Sequence, residues 1–195
     1  MQPLDPHDPR STDALLRPMQ PKSDQFRRFI WSLVWNVCCR WTPVPLHGWR
    51  CFVLRLFGAR LGPLNFIYPS ARIWAPWLLE TEDVVTISRD VSVYNVGGVR
   101  LGSHSIISEG ALLCGATHDF QNSDFRLVSR PIVIGAYAWV CARAVVLPGV
   151  VCGEGSVLGA AAVAAKDLEP WTVYAGNRAV RVCARLRSGD ATPNS

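Results

Sequence analysis

Along most of this chain an aliphatic residue returns every six positions, and a small or β-branched residue follows four places later. The longest run, IGAYAW VCARAV VLPGVV CGEGSV LGAAAV AAKDLE, starts its units at Ile134, Val140, Val146, Cys152, Leu158 and Ala164. Ala138, Ala144, Val150, Ser156 and Ala162 fill the small positions. An earlier run, LGSHSI ISEGAL LCGATH, follows the rule at Leu101, Ile107 and Leu113 with Ser105, Ala111 and Thr117, and weaker units precede it at Ile67, Ile73, Ile87 and Val93. A helix repeats every 3.6 residues and a free-standing strand every two, so a period of six fits neither. Short strands joined by tight corners do fit. The aliphatic residue points inward on each face, the small one lets the chain turn near the axis, and stacked coils supply one another's strand partners. The pattern predicts an all-β, parallel β-helix over residues 63–176.

The region before the repeats reads differently. Residues 1–23 are Pro-rich and polar, as in a flexible arm. Residues 24–62 form an amphipathic helical segment in two parts, split by TPVPLHG at 42–48. In the first part Phe26, Phe29, Ile30, Leu33, Val34 and Val37 make one apolar stripe, with Arg27, Arg28 and Arg40 off it. The second, Trp49 to Leu61, carries Phe52 and Leu56 together with Arg50, Arg55 and Arg60. Such stripes pack on the main domain or on another subunit. The alternative is a peripheral membrane contact, because Trp flanked by Arg suits the headgroup region. The most apolar stretch, Phe29 to Cys39, is shorter than the roughly 20 residues a bilayer span needs.

Composition narrows the function classes. At 195 residues and 49% hydrophobic content, the chain has room for one domain with a real core and a short appendage. A net charge of +5 favours anionic partners such as a phosphorylated cofactor, an acidic glycan or a lipid surface. No Lys/Arg stripe interleaved with aromatics and no zinc-finger, RNP or helix-turn-helix pattern is present, so nucleic acid is not an expected partner. The seven cysteines are an odd number without a C-x-x-C spacing, and Cys114, Cys141 and Cys152 occupy repeat positions. They read as reduced core cysteines, and an opening MQPLDPHDPRSTD without a basic then apolar run reads as no signal peptide; both point to the cytoplasm.

One interruption stands out: HDFQNSDFRLVSRP, residues 118–131, breaks the repeat and begins with a histidine. A solenoid is a rigid wall, and a loop that leaves a corner is one way to make a pocket. Repeat, interruption and exit, with YPSARIWAPW, LLCGATHDF, RPIVIG and LHGWRCFVLRLFGARLG, resemble the hexapeptide-repeat, left-handed β-helix acyltransferase superfamily. Within it the resemblance is to colanic-acid-biosynthesis-type acetyltransferases. It implies a left-handed helix with three hexads per coil, a homotrimer, acetyl-coenzyme A as acetyl donor between subunits, an extruded loop over 119–131, and a C-terminal helix and tail over 177–195. His118 matches the family's general base. Acetyl transfer to a hydroxyl needs the proton removed as the oxygen attacks the thioester, a task suited to imidazole with its reference pKa near 6.5.

By the same resemblance Ala142, Ala160 and Ala165 line the coenzyme arm, and Lys166 and Arg181 meet phosphate. Gly159 joins them as a small residue that lets the arm approach the backbone. Asn95, within YNVGG at 94–98, and Asp119 are candidates for the acceptor side, Asp119 equally for orienting the neighbouring base or for capping the loop. His104 reads as a surface residue. The chain departs from the family's Gly-Asn-Pro-Ala exit with GNRA at 176–179. The expected function is O-acetylation of a sugar hydroxyl in exopolysaccharide or glycan synthesis; the rivals are N-acetylation of an amino sugar or antibiotic and a non-catalytic β-helix that docks a partner. No metal is expected, because a zinc site on this coil needs three converging histidines and the repeats hold only His104 and His118.

Overall fold

The computed structural model describes residues 22–121 and 125–186. The arm expected over 1–23 therefore lies, but for its last two residues, outside the described residues, as does the tail from 187 on. Two helices come first, α1 (Lys22–Cys38) and α2 (His47–Leu56). The coils follow, each contributing one short strand to each of three faces. The first holds β1 (Arg60–Leu61), β2 (Phe66–Ile67) and β3 (Arg72–Ile73). The second holds β4 (Leu79–Thr81), β5 (Thr86–Ile87) and β6 (Ser92–Tyr94), and the third β7 (Val99–Leu101), β8 (Ile106–Ile107) and β9 (Leu112–Cys114). The chain then makes an excursion through β10 (Ala116–His118) and β11 (Leu127–Ser129). It returns for a fourth coil, β12 (Ile132–Ile134), β13 (Trp139–Val140) and β14 (Val145–Val146), and a fifth, β15 (Val151–Cys152), β16 (Val157–Leu158) and β17 (Val163–Ala164). A sixth, partial coil bridges Leu168 to Cys152 and ends in β18 (Thr172–Ala175) and β19 (Val180–Ala184).

The first face is β1-β4-β7-β12-β15, the second β2-β5-β8-β13-β16-β18 with β19 at its edge, and the third β3-β6-β9-β14-β17. All pairings among the coils are parallel, with inward residues in register: Ile67, Ile87, Ile107, Val140 and Leu158 stack down the second face. These five are at most 1% exposed. The small positions Ala71, Val91, Ala111, Ala144 and Ala162 are fully buried at one corner, where nothing larger would let the coil close. The parallel β-helix is thus laid out as the six-residue period requires. The rule fails at Thr117, which is exposed on β10 because the chain has already left the coil at Gly115.

From the second coil on, the corner between the first and second faces is turned by a residue with positive φ: Val84, His104, Tyr137, Gly155 and Trp171. Side chains stack there, His104 on Tyr137 at 4.9 Å with nearly parallel planes. His104 is exposed on the surface of this corner. Gly155 is the gap in the stack, since a Cβ would sit 2.5 Å from the Trp171 ring.

Several expectations need correction. Residues 180–184, expected in a C-terminal helix, form β19, antiparallel to β18. β18 is the last strand of its face, and its free edge of N–H and C=O groups is covered by the chain turning back at Gly176, with β-branched Val180 and Val182 suited to the strand. In α1 most of the stripe does not take the first of its expected partners, the main domain: Trp31 and Trp35, with Cys39 just beyond the helix, are buried, while Phe26, Phe29, Leu33 and Val37 are exposed. In α2 Arg50 is buried, and Phe52 and Leu56 are exposed. Asn95 and Cys114 are taken up with the site.

Arg50 is a hub. Its guanidinium donates to the carbonyls of Ile67, Pro43 and Val44 and to Thr42 Oγ1, which folds the proline turn around one cation. No carboxylate meets it among the described residues, and burial lowers its pKa. The charge is held by carbonyl dipoles. Burial also pushes the thiol of Cys152 up to about 12 and that of Cys39 up to about 11, so both are neutral core side chains.

Candidate active site

The excursion leaves the third face at Gly115 and closes its own neck. Arg130 N–H donates to the Gly115 carbonyl at 3.1 Å, and Ile132 N–H to the Gly98 carbonyl at 3.1 Å. The glycines of YNVGG make room for this. A Cβ on Gly97 would lie 2.5 Å from the Arg130 carbonyl carbon, so the returning strand can cross only over a residue without a side chain. Within the loop β10 and β11 pair antiparallel, with His118 opposite Leu127.

His118 is half-buried at the end of β10. Its Nδ1 lies 2.7 Å from the Phe125 carbonyl, and its ring stacks on the Phe125 ring at 4.6 Å with 9° between planes. A carbonyl only accepts, so Nδ1 carries the proton and Nε2 is left with its lone pair. Phe125 itself has φ +45, an uncommon conformation for a side chain of this size. Asp119 does not touch the imidazole. Its N–H donates to the Arg126 carbonyl at 2.9 Å, its carboxylate accepts from Gln121 N–H at 3.3 Å, and Arg126 Nε stands 3.8 Å away. It caps and pins the loop.

His118 and Asp119 line a cleft of about 550 Å³ with Cys114, Arg130, Pro148 and Ala165. Its floor is the corner after the third face, stacked coil on coil, and its wall is the loop. Arg130 brings a cation without an acidic partner among the described residues. Cys114, expected in the core, is half-buried here instead, because its strand is the one the loop departs from.

The other expected residues separate. Ala165 is in the cleft and exposed Lys166 follows it at the same corner. Ala142 and Ala160 are exposed at the opposite edge of the third face, where Ala161 N–H donates to the Ala142 carbonyl. Gly159 is small for a different reason: a Cβ would meet the Tyr174 carbonyl at 3.0 Å, so the sixth coil, not open space, covers that side. Arg181 lies on β19, 3.9 Å from Glu169, and does not line the cleft.

Asn95 is not on the acceptor side. It is fully buried, its Nδ2 donates to the Ala75 carbonyl at 2.7 Å, and its Oδ1 accepts from Ala75 N–H at 3.0 Å. It ties two successive coils together where the backbone bends away from regular pairing. Asn65 does likewise, accepting from Val85 N–H and donating to Thr81 Oγ1. Sequence reasoning missed Phe125 and Arg130; neither sits in a period, and the only signal was their presence in the interruption.

A coil wall, a loop folded over its corner and one imidazole whose Nε2 has no hydrogen-bond partner among the described residues form the arrangement to set beside known proteins. No family model matches the chain. WcaF of Escherichia coli (strain K12), named for acetyl transfer in colanic acid biosynthesis, is 38% identical over 159 residues, covering 82% of this chain and 87% of its own. The chain belongs to the hexapeptide-repeat acetyltransferase family. Solved acetyltransferase structures share the fold. A maltose O-acetyltransferase from Clostridium difficile 630 superposes with a TM-score of 0.75 at 19% identity, over 86% of this chain and 90% of that one. A hexapeptide-repeat acetyltransferase from Vibrio cholerae, solved with acetyl-coenzyme A, gives 0.73 at 20% identity over 85% and 89%. Among the described residues of the present hexapeptide-repeat protein, no group of three His, Cys, Asp or Glu side chains is gathered to hold a metal.

Proposed function

We propose that this acetyltransferase takes acetyl from acetyl-coenzyme A and places it on a sugar hydroxyl of a glycan, with His118 as general base, acting in the cytoplasm as a homotrimer. The observation that carries the reading is the Nδ1–H bond to the Phe125 carbonyl, which fixes the tautomer with the lone pair on Nε2, in a side chain that lines the cleft. As the acceptor oxygen attacks the thioester carbonyl, its proton moves to Nε2. The tetrahedral adduct collapses, the C–S bond breaks, and the imidazolium returns the proton to the departing thiolate. A backbone N–H of the coil serves as donor to the developing oxyanion.

The split of the cofactor candidates supports a site between subunits. Ala165 and Lys166 stand on the His118 edge of the third face, and Ala142 and Ala160 on its other edge. In a ring of three, one subunit's His118 edge meets its neighbour's Ala142 edge, and the coenzyme arm runs between the two. Arg130 and Lys166 are the cations available to its phosphates.

Calorimetric titration of acetyl-coenzyme A into the wild type and His118→Ala, followed by thioester consumption over a panel of sugars and amino sugars, tests this. Both proteins are expected to bind the donor, with kcat in the variant lower by about 10²–10⁴-fold. Absence of binding by the wild type would remove the reading, and turnover only with amino sugars would move the acceptor from hydroxyl to amine.

A further inference from the structure

α1 and α2 lie antiparallel, tied at both ends. Arg27 Nη2 donates to the Phe57 carbonyl and Trp31 packs on Phe57 at 5.1 Å, while at the other end Trp49 Nε1 donates to the Cys38 carbonyl at 2.9 Å. Both helices rest on the first coil through their buried sides; Trp31 Nε1 donates to the Ile73 carbonyl at 2.7 Å. Their opposite sides carry large apolar groups into the open. On α1 these are Phe26, Phe29, Leu33 and Val37, spaced three to four apart. On α2 Trp49, Phe52 and Leu56 repeat the spacing, and Trp41 between the helices is 82% exposed. Soluble proteins seldom leave so long a contiguous apolar strip uncovered.

The charge around the strip is one-sided. From Gln25 to Leu79 the chain holds seven arginines and no Asp or Glu. Arg50 is buried and Arg60 is bonded to Glu80, which leaves five without an acidic partner among the described residues. Three of them, Arg28, Arg40 and Arg72, line a cleft of about 450 Å³ between α1 and the third face. Trp35 also lines it, 5% exposed, and its indole N–H has no acceptor among the described residues. The cleft is thus rich in donors and cations, with aromatic Trp74 and Tyr94 as walls. A second copy meeting this face by its own equivalent would set arginine against arginine. An anionic surface with an apolar interior matches both parts of the pattern.

We infer that the α1–α2 face is a docking surface for an anionic phospholipid bilayer, its apolar strip at the acyl boundary and its arginine cleft receiving lipid phosphate. No helix among the described residues is long and apolar enough to cross the bilayer, so the contact is interfacial. The inference stands independently of the acceptor and of His118.

Vesicle flotation of the full chain tests it, with phosphatidylcholine alone against an equimolar mixture with phosphatidylglycerol. The protein is expected to float with the mixed vesicles and to be released as salt is raised. Phe29→Ser combined with Leu33→Ser should weaken the association by about tenfold or more, and Arg40→Glu with Arg72→Glu should abolish the preference for the anionic lipid. Far-UV circular dichroism and the denaturant midpoint report that each variant is folded. Failure of the wild type to float, or equal binding to both vesicles, overturns the inference. So does a change of mass in light scattering for the Phe29/Leu33 variant when neither protein floats, which would assign the face to contacts between copies.

Discussion

The wall of coils and the loop that leaves it solve the same backbone problem in opposite ways. In the wall every strand borrows its partners from the coil above and below, about twenty residues away where no insertion intervenes, as Ile67, Ile87 and Ile107 show. In the loop β10 and β11 pair with each other, and His118 takes its partner from seven residues along. The wall is rigid because its pairing is distributed over many coils. The loop is set by a few local contacts, and for that reason it can carry an imidazole at the edge of a cleft without belonging to the core.

That contrast can be broken from the wall side first. Ile107→Ala deletes a fully buried side chain between two in-register neighbours and should cost about 3 kcal/mol, read as a lower denaturant midpoint, with donor affinity retained in the folded fraction. A smaller effect, of a different kind, is expected from Phe125→Ala. The ring stack that holds the imidazole is lost while the coils are untouched, so turnover should fall by about tenfold with stability changed by less than about 0.5 kcal/mol. If stability falls and turnover does not, the loop is a structural element and His118 is not positioned by it. The smallest is Asp119→Asn. Its ion pair with Arg126 is long, at 3.8 Å, and open to solvent on the arginine side, so less than about 1 kcal/mol and at most about a twofold change in kcat are expected; a loss as deep as that of His118→Ala would make Asp119 a positioning residue for the base.

The wall was legible because its constraint is periodic: one inward aliphatic and one small residue per face leave a mark every six positions. The loop was legible as an interruption, and its first residue as the candidate base. Other features left no such mark. Asn95 and Asn65 look like surface amides until the register brings Ala75 and Val85 against them. Arg50 reads like its neighbours Arg55 and Arg60, because nothing local reveals that a proline turn will wrap it in carbonyls. α1 is apolar on two sides, so periodicity alone could not choose between the side with Trp31 and Trp35 and the side with Phe29 and Leu33. β19 depends on an open edge created by β18, a non-local demand that outweighed local helix expectation.

The excursion departs between the third and fourth coils of a stack that continues on both sides of it. In a one-dimensional array of nearest-neighbour contacts, opening begins at the ends and moves inward like fraying rope. The helices guard one end and the β18–β19 hairpin the other, so the first units to melt are those farthest from the imidazole. The position of the loop along the stack thereby protects the chemistry from partial unfolding, and it does so without any contact made for that purpose.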